Sequence, residues 1–209
     1  MVILLMGPSG SGKTTTAEAL AREDCYIVST YTTRPPRPDD KFTRCIDDAK
    51  FDSLLEKGYF VSHSSFDSTM GKVRYGIPKI NEYELFYHVP VIILAKEYYD
   101  DIVNLYSKRE RVLKVYLDVD DNTILNYSLN DDTRGPSMKD LEDRLKRDKE
   151  KNKFLEEHAD IIIHNHGMRL APYQVANVIL KEYSNSLLNY TKSEKEEIQN
   201  IVDYYNKEE

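Results

Sequence analysis

Eight residues near the start of the chain, Gly7-Pro8-Ser9-Gly10-Ser11-Gly12-Lys13-Thr14, combine the types and spacing that hold a triphosphate. They read as G-x-x-x-x-G-K-T, follow an apolar run, Val2-Ile3-Leu4-Leu5-Met6, and precede a helix-compatible stretch, Thr15-Thr16-Ala17-Glu18-Ala19-Leu20. A buried strand would deliver the chain to a glycine-rich turn whose backbone N–H groups converge on an anion. The helix behind it would add the positive end of its dipole. On this reading Gly7, Ser9, Gly10, Ser11, Gly12, Lys13, Thr14 and Thr15 contact a nucleoside triphosphate. Lys13 reaches the β- and γ-phosphates as a catalytic cation, and the Thr14 hydroxyl is a ligand for Mg²⁺.

A second chemically loaded stretch is Thr30-Tyr31-Thr32-Thr33-Arg34-Pro35-Pro36-Arg37-Pro38-Asp39-Asp40. Arg34 and Arg37 are flanked by prolines, which fix φ and reduce the entropy lost on ordering. Guanidinium groups match phosphate oxygens fork to fork, which Lys cannot do. The same residues would equally make a solvated basic turn. Further on, Met138, Leu141 and Leu145 give one helix an apolar stripe, with Arg144, Arg147 and Lys151 on another face. Asp140–Arg144 and Arg144–Asp148 are i, i+4 pairs, so part of that charge is an ordinary salt-bridged surface. His164 and His166 form an H-x-H pair with no third metal ligand nearby in sequence. Structural or solvent-facing histidines are expected there.

These groups need a frame, and the apolar pattern supplies one. β-branched runs at Val2–Met6, Tyr26–Val28, Val89–Leu94, Val112–Asp118 and Ile161–His164 alternate with helical patterns at Lys13–Arg22, Tyr98–Tyr106, Asn122–Leu129, Met138–His158 and Leu170–Ser184. That alternation predicts an α/β fold, a parallel sheet flanked by helices. Residues 30–88 break it: they are polar, carry Pro35, Pro36, Pro38 and Pro78, and hold short strand-like pieces such as Gly58-Tyr59-Phe60-Val61. They read as an inserted subdomain within a core made of 1–29 and 89–184. Residues 130–138 read as a lid. In the extension, 185–209, Ile198, Ile201, Val202 and Tyr205 recur at helical spacing, so about 193–206 could form an amphipathic helix. It would dock on its own domain or serve a dimer contact.

Composition narrows the classes. A chain of 209 residues suits one α/β domain with a small insertion. Its net charge of −7 argues against general nucleic-acid affinity. No apolar run approaches a membrane span, and the first strand uses the N-terminus, so neither membrane nor signal peptide is expected. Cys25 and Cys45 lack metal-ligand spacing and read as reduced thiols of a cytoplasmic protein, a monomer or homodimer.

Thr-Thr-Arg-x-x-Arg at 32–37, one helix and one strand after such a phosphate loop, resembles the guanylate kinases over residues 1 to about 184. Tyr75-Gly76, Arg134-Gly135, Asp143-Arg144-Leu145 and Asp160-Ile161-Ile162-Ile163-His164-Asn165 follow in the family's order. The resemblance implies a P-loop NTPase fold with core, acceptor-binding subdomain and lid. It also implies Mg²⁺-dependent transfer of the γ-phosphoryl group of ATP to GMP or dGMP. Arg34, Arg37 and Tyr75 match residues that grip the acceptor phosphate, with Thr30 beside them. Arg134 and Arg144 match lid arginines that close over the transferring group, and Asn165 falls where the family places a residue beside adenine. At the guanine end this chain departs from the pattern. Cys45 and Ile46 stand near an expected tyrosine, and Ser62 replaces a base-reading glutamate. Ile77 replaces a small hydroxyl residue, and Leu94-Ala95-Lys96-Glu97 replaces Leu-Asp-x-Asp. Glu97 could serve as the second acid, and Asp118 is a candidate substitute for the first. Another nucleoside monophosphate or a phosphorylated ribose is the alternative acceptor. A binding module without catalysis is the alternative class, and the intact Lys13 and Thr14 speak against it.

Overall fold

The structure is a computed structural model that describes residues 1–23, 25–38, 40–68, 71–129, 138–167 and 170–185. In chain order it begins with β1 (Val2–Met6), α1 (Lys13–Ala21) and β2 (Cys25–Ile27). Then come β3 (Thr30–Thr32), β4 (Thr43–Cys45), α2 (Asp48–Glu56), β5 (Phe60–Ser68), β6 (Gly71–Pro78) and α3 (Glu82–Tyr87). After β7 (Val89–Ile93) a 3₁₀ turn at Lys96–Tyr98 leads into α4 (Tyr99–Tyr106), followed by β8 (Val112–Asp118) and α5 (Asp121–Leu129). The last elements are α6 (Met138–Arg147), α7 (Lys149–Glu157), β9 (Ile161–His164) and a helix over 172–185, α8.

β1 is apolar at every position because it is covered on both faces, and each of its residues is 0% exposed. Alternate side chains go to opposite layers. Val2, Leu4 and Met6 meet Ile92, Leu94 and Ile102 on one side. Ile3 and Leu5 meet Ala17 and Leu20 of α1 and Val175 and Ile179 of α8 on the other. Each such side chain contributes about 1.5–3 kcal/mol on burial. The sheet is five-stranded, in the order β2-β7-β1-β8-β9, and its strands run parallel. β1 lies centrally, where the winding of the sheet reverses, so the carboxyl ends of β1, β7, β8 and β9 open onto the crevice where ligands of such sheets bind.

A four-stranded sheet, β4-β3-β6-β5, holds the residues between β2 and β7. Its own small core is Tyr31, Phe51 and Phe60. The Asp47 carboxylate caps α2, accepting from Lys50 N at 2.7 Å. Ile77 and Ile80 join Tyr98, Ile102 and Tyr106 in one cluster, and Ile80 N donates to Tyr106 Oη at 2.9 Å, so the two sheets share packing.

Several local expectations change. The single helix anticipated over Met138–His158 is broken at Asp148, where φ is −89° and ψ is 4°. Its halves serve different cores: Leu141 and Leu145 pack with Val119 and Ile124, whereas Leu155 belongs to the main cluster. The strand-like piece at Gly58–Val61 begins instead at Phe60 and runs to Ser68, because Gly58, at φ +61°, closes α2. Residues 130–137 of the anticipated lid and the anticipated helix at 193–206 lie outside the described residues. Among the described residues no helix is long and apolar enough to cross a membrane.

Candidate active site

The donor side starts at the carboxyl end of β1. Gly7 has φ +141°, and a Cβ there would stand 2.7 Å from the Leu117 carbonyl oxygen, so only glycine fits against β8. Gly12 (φ +91°) opens α1 in the left-handed region, and no side chain caps the start of the helix. Lys13 Nζ bridges the loop, donating to Gly7 O at 2.8 Å and Pro8 O at 2.6 Å. Ser11 is 2% exposed, and its hydroxyl has no hydrogen-bond partner among the described residues. A buried orphan hydroxyl beside uncapped amides fits a bound anion. Thr14 and Thr15 follow on the first turn of α1, half-buried and exposed respectively.

Next to the loop lies a cavity of about 330 Å³, lined by Ser11, Gly12, Thr15, Tyr127, Asn165 and Pro172 among others. Asn165 sits just past β9. Its N–H donates to Asp118 O at 2.8 Å, and its Oδ1 accepts from Leu170 N at 2.6 Å. Tyr127 and Pro172 went unnoticed in the sequence. They reach the cavity from α5 and the start of α8, and only Pro172 carries a local signal, a proline at a helix's first position.

The acceptor side is built on the smaller sheet. Arg34 is 8% exposed, and four hydrogen bonds tie its guanidinium to protein. Nε donates to Tyr75 Oη at 3.1 Å, one terminal nitrogen to Pro35 O at 2.9 Å and Asp40 Oδ2 at 2.7 Å, and the other to Asp40 Oδ1. Asp40 Oδ2 also accepts from Arg37 N at 2.7 Å, so one carboxylate folds the Pro-rich turn around Arg34. The Arg34 hydrogen bonds hold the Asp40 carboxyl below the usual carboxylate range. Arg37 is exposed, and its guanidinium makes no ion pair among the described residues. The basic turn is thus ordered rather than solvated, with one arginine pinned and the other outward.

Ser64 lies opposite Tyr75 in the β5–β6 ladder, and Ser62 is two residues away on the same face. Ser62 Oγ donates to Asp101 Oδ2 of α4 at 2.6 Å, and Ser64 Oγ bonds Tyr98 Oη at 2.6 Å. Phe66 stacks on Tyr75 with centroids 5.3 Å apart. Arg34, Tyr75, Ser64 and Ser62 therefore follow one another along one face of the smaller sheet, and beyond Ser62 stands the Asp101 carboxylate, which the sequence did not single out. Ile77, paired with Ser62, is 1% exposed and packs into the shared core. Thr30 is half-buried in β3, paired with Thr43 of β4.

The remaining candidates are less gathered. Burial opposes ionisation of Glu97, yet the Lys151 ammonium, paired with it, holds its carboxyl below the usual range. Asp118, considered above as a stand-in acid for Mg²⁺, turns its carboxylate to His164 and His166. Arg144 lies on α6 with its side chain outside what is described, Arg147 is exposed, and Arg134 lies outside the described residues.

Tyr75-Gly76 has a packing reason as well. A Cβ on Gly76 would lie 2.7 Å from the Phe60 ring, which stacks on Phe51 at 4.8 Å. Gly76→Ala is expected to cost about 1–3 kcal/mol, read as a lowered Tm. An unchanged Tm would show that Phe60 yields freely.

No family model matches this chain, and no curated protein matches it. Among solved structures, the crystal structure of guanylate kinase from Anaplasma phagocytophilum is similar at a TM-score of 0.54 and 20% identity. The match covers 87% of this chain and 85% of that one. The fold is therefore a guanylate-kinase-like P-loop NTPase fold, as the residues had implied.

Proposed function

We propose that this chain is an ATP-dependent nucleoside monophosphate kinase that moves the γ-phosphoryl group of ATP onto GMP or dGMP. One observation carries the reading. A complete phosphate loop opens at the switch point of the sheet, and the adjoining sheet carries a row of polar side chains from Arg34 and Tyr75 to Ser62 and Asp101. In this reading 30–88 is the acceptor subdomain, and 130–138 is a lid bringing Arg134, with Arg144 behind it.

Phosphoryl transfer through a loose transition state requires positioning and charge compensation more than proton transfer. An acceptor phosphate oxygen attacks the γ-phosphorus, the bond to the β–γ bridging oxygen breaks, and ADP leaves. Lys13 compensates charge on the β- and γ-phosphates, and the loop amides hold them. The Thr14 hydroxyl would hold Mg²⁺, which would supply further positive charge beside the donor. Arg37 receives the acceptor phosphate, while Arg34 and Asp40 hold the turn that carries it. Asn165, Tyr127 and Pro172 enclose the adenine. At the base end, the buried Ser62 hydroxyl donates a hydrogen bond to Asp101 and so steadies its exposed carboxylate. Asp101, held by Ser62, accepts from the N1–H and N2–H₂ donors of guanine, in place of the absent glutamate.

The buried Ile77 beside Ser62 favours a second reading, a different nucleoside monophosphate or a phosphorylated ribose. ADP release from ATP and Mg²⁺ against a panel of ribo- and deoxynucleoside monophosphates and ribose phosphates separates them. Turnover greatest with GMP or dGMP is the expected result. Turnover with none of them would refute phosphotransfer and leave a binding module. Asp101→Asn should raise the KM for GMP by roughly 10-fold, the loss of a hydrogen bond to a charged group, with kcat little changed. An unaltered KM would remove Asp101 from base recognition.

A further inference from the structure

We propose that Asp118, His164 and His166 form a binding site for one divalent transition-metal ion of the zinc class, separate from the Mg²⁺ that accompanies ATP. The sequence hides the third ligand, because 46 residues separate Asp118 from His164. The parallel pairing of β8 and β9 sets these two side by side at the ends of their strands, and His166 follows two residues later. Asp118 Oδ2 lies 2.7 Å from His164 Nδ1 and 2.8 Å from His166 Nε2. One ligand atom from each side chain falls within 4.8 Å of the others. The two rings stand at 88° with centroids 5.9 Å apart, so their nitrogens converge on the carboxylate from different directions. Metal–nitrogen bonds of about 2.0–2.1 Å would replace the two hydrogen bonds to Asp118, with the ion held between the three atoms.

The frame behind them is firm and the front is open. Asn165 N is bonded to Asp118 O, and Gly167 N donates to Thr123 Oγ1 at 2.8 Å, which fixes the loop on both sides of His166. Asp120, its carboxylate bonded to Thr123, adds negative charge next to His166. The side chains of His164 and His166 are 70% and 50% exposed, so a hydrated ion can approach and keep water in its open positions. Two imidazoles and one carboxylate suit Zn²⁺, Co²⁺ or Ni²⁺, whereas Mg²⁺ and Ca²⁺ prefer oxygen ligands alone. On binding, each neutral ring carries its N–H proton on the nitrogen not bound to metal, so no redox step or co-reactant is involved.

The test uses the full chain without a polyhistidine tag, cleared of metal by a chelator. Zn²⁺ binding is followed calorimetrically in excess Mg²⁺, and Co²⁺ binding by its visible d–d absorption. One equivalent of Zn²⁺ is expected, with a Co²⁺ spectrum typical of mixed nitrogen and oxygen ligation. His164→Gln and His166→Gln should each weaken Zn²⁺ binding by roughly 10-fold or more, since even outer partners of metal ligands matter that much. His63→Gln, on the other sheet, should leave it unchanged. Thermal melts of the variants confirm folding. No binding by the wild type, or equal binding by both ligand variants, would overturn the site. Neither outcome bears on phosphotransfer, which the nucleotide panel tests separately.

Discussion

Replacing Lys13 by methionine is expected to lower kcat for phosphoryl transfer by about 10³-fold, while the protein still folds. Methionine keeps most of the chain length and deletes the charge. The loop would lose two bonds, to Gly7 O and Pro8 O, a stability loss of about 1–3 kcal/mol. The catalytic loss should be much larger, because in the proposed mechanism this ammonium leaves the loop carbonyls to compensate charge that develops in the transition state. Steady-state ADP release and thermal melting, measured together, separate the two effects. A kcat within a few-fold of wild type would remove Lys13 from the transfer step.

The second large effect concerns Asp40 and is chiefly one of stability. Arg34 and Asp40 are 8% and 11% exposed, so removing the carboxylate strands a buried guanidinium. Asp40→Ala is expected to cost about 3 kcal/mol, which for a chain of this size lowers Tm by roughly 6–12 °C. The pH dependence follows from the depressed Asp40 carboxyl. Its stabilisation is fully present above the unfolded-state value of about 3.9 and is lost as pH falls through the lower folded value. Wild type and Asp40→Ala should therefore differ most near neutrality and converge in strong acid. A difference that persists unchanged in acid would mean that the carboxylate's charge contributes nothing. Acceptor KM should rise as well, since the same residue folds the turn that presents Arg37.

What could be read in the sequence was local or periodic. The phosphate loop was legible because eight contiguous residues fix its geometry. The central strands were legible because burial on both faces leaves an unbroken apolar run, as in Val2–Met6. The break at Asp148 was not, because it depends on which cluster each half of the helix meets. The polar network was hidden for a different reason. Ser62 meets Asp101 across 39 positions and His166 meets Asp118 across 48, and spacing in sequence says nothing about such pairs. Asp40 was visible in its motif, but its role as counter-charge to Arg34 appears only once the turn closes.

The central place of β1 also bears on how the chain is made. Val2 is paired with Val112 and Ile3 with Val91, so this strand leaves the ribosome before either of its strand neighbours. At about 5–20 residues per second, the interval before β8 is synthesised is roughly five to twenty seconds. For that time Val2-Ile3-Leu4-Leu5-Met6, every residue of which is buried in the finished sheet, can pack on α1 and then pair with β7, but its β8 edge stays open.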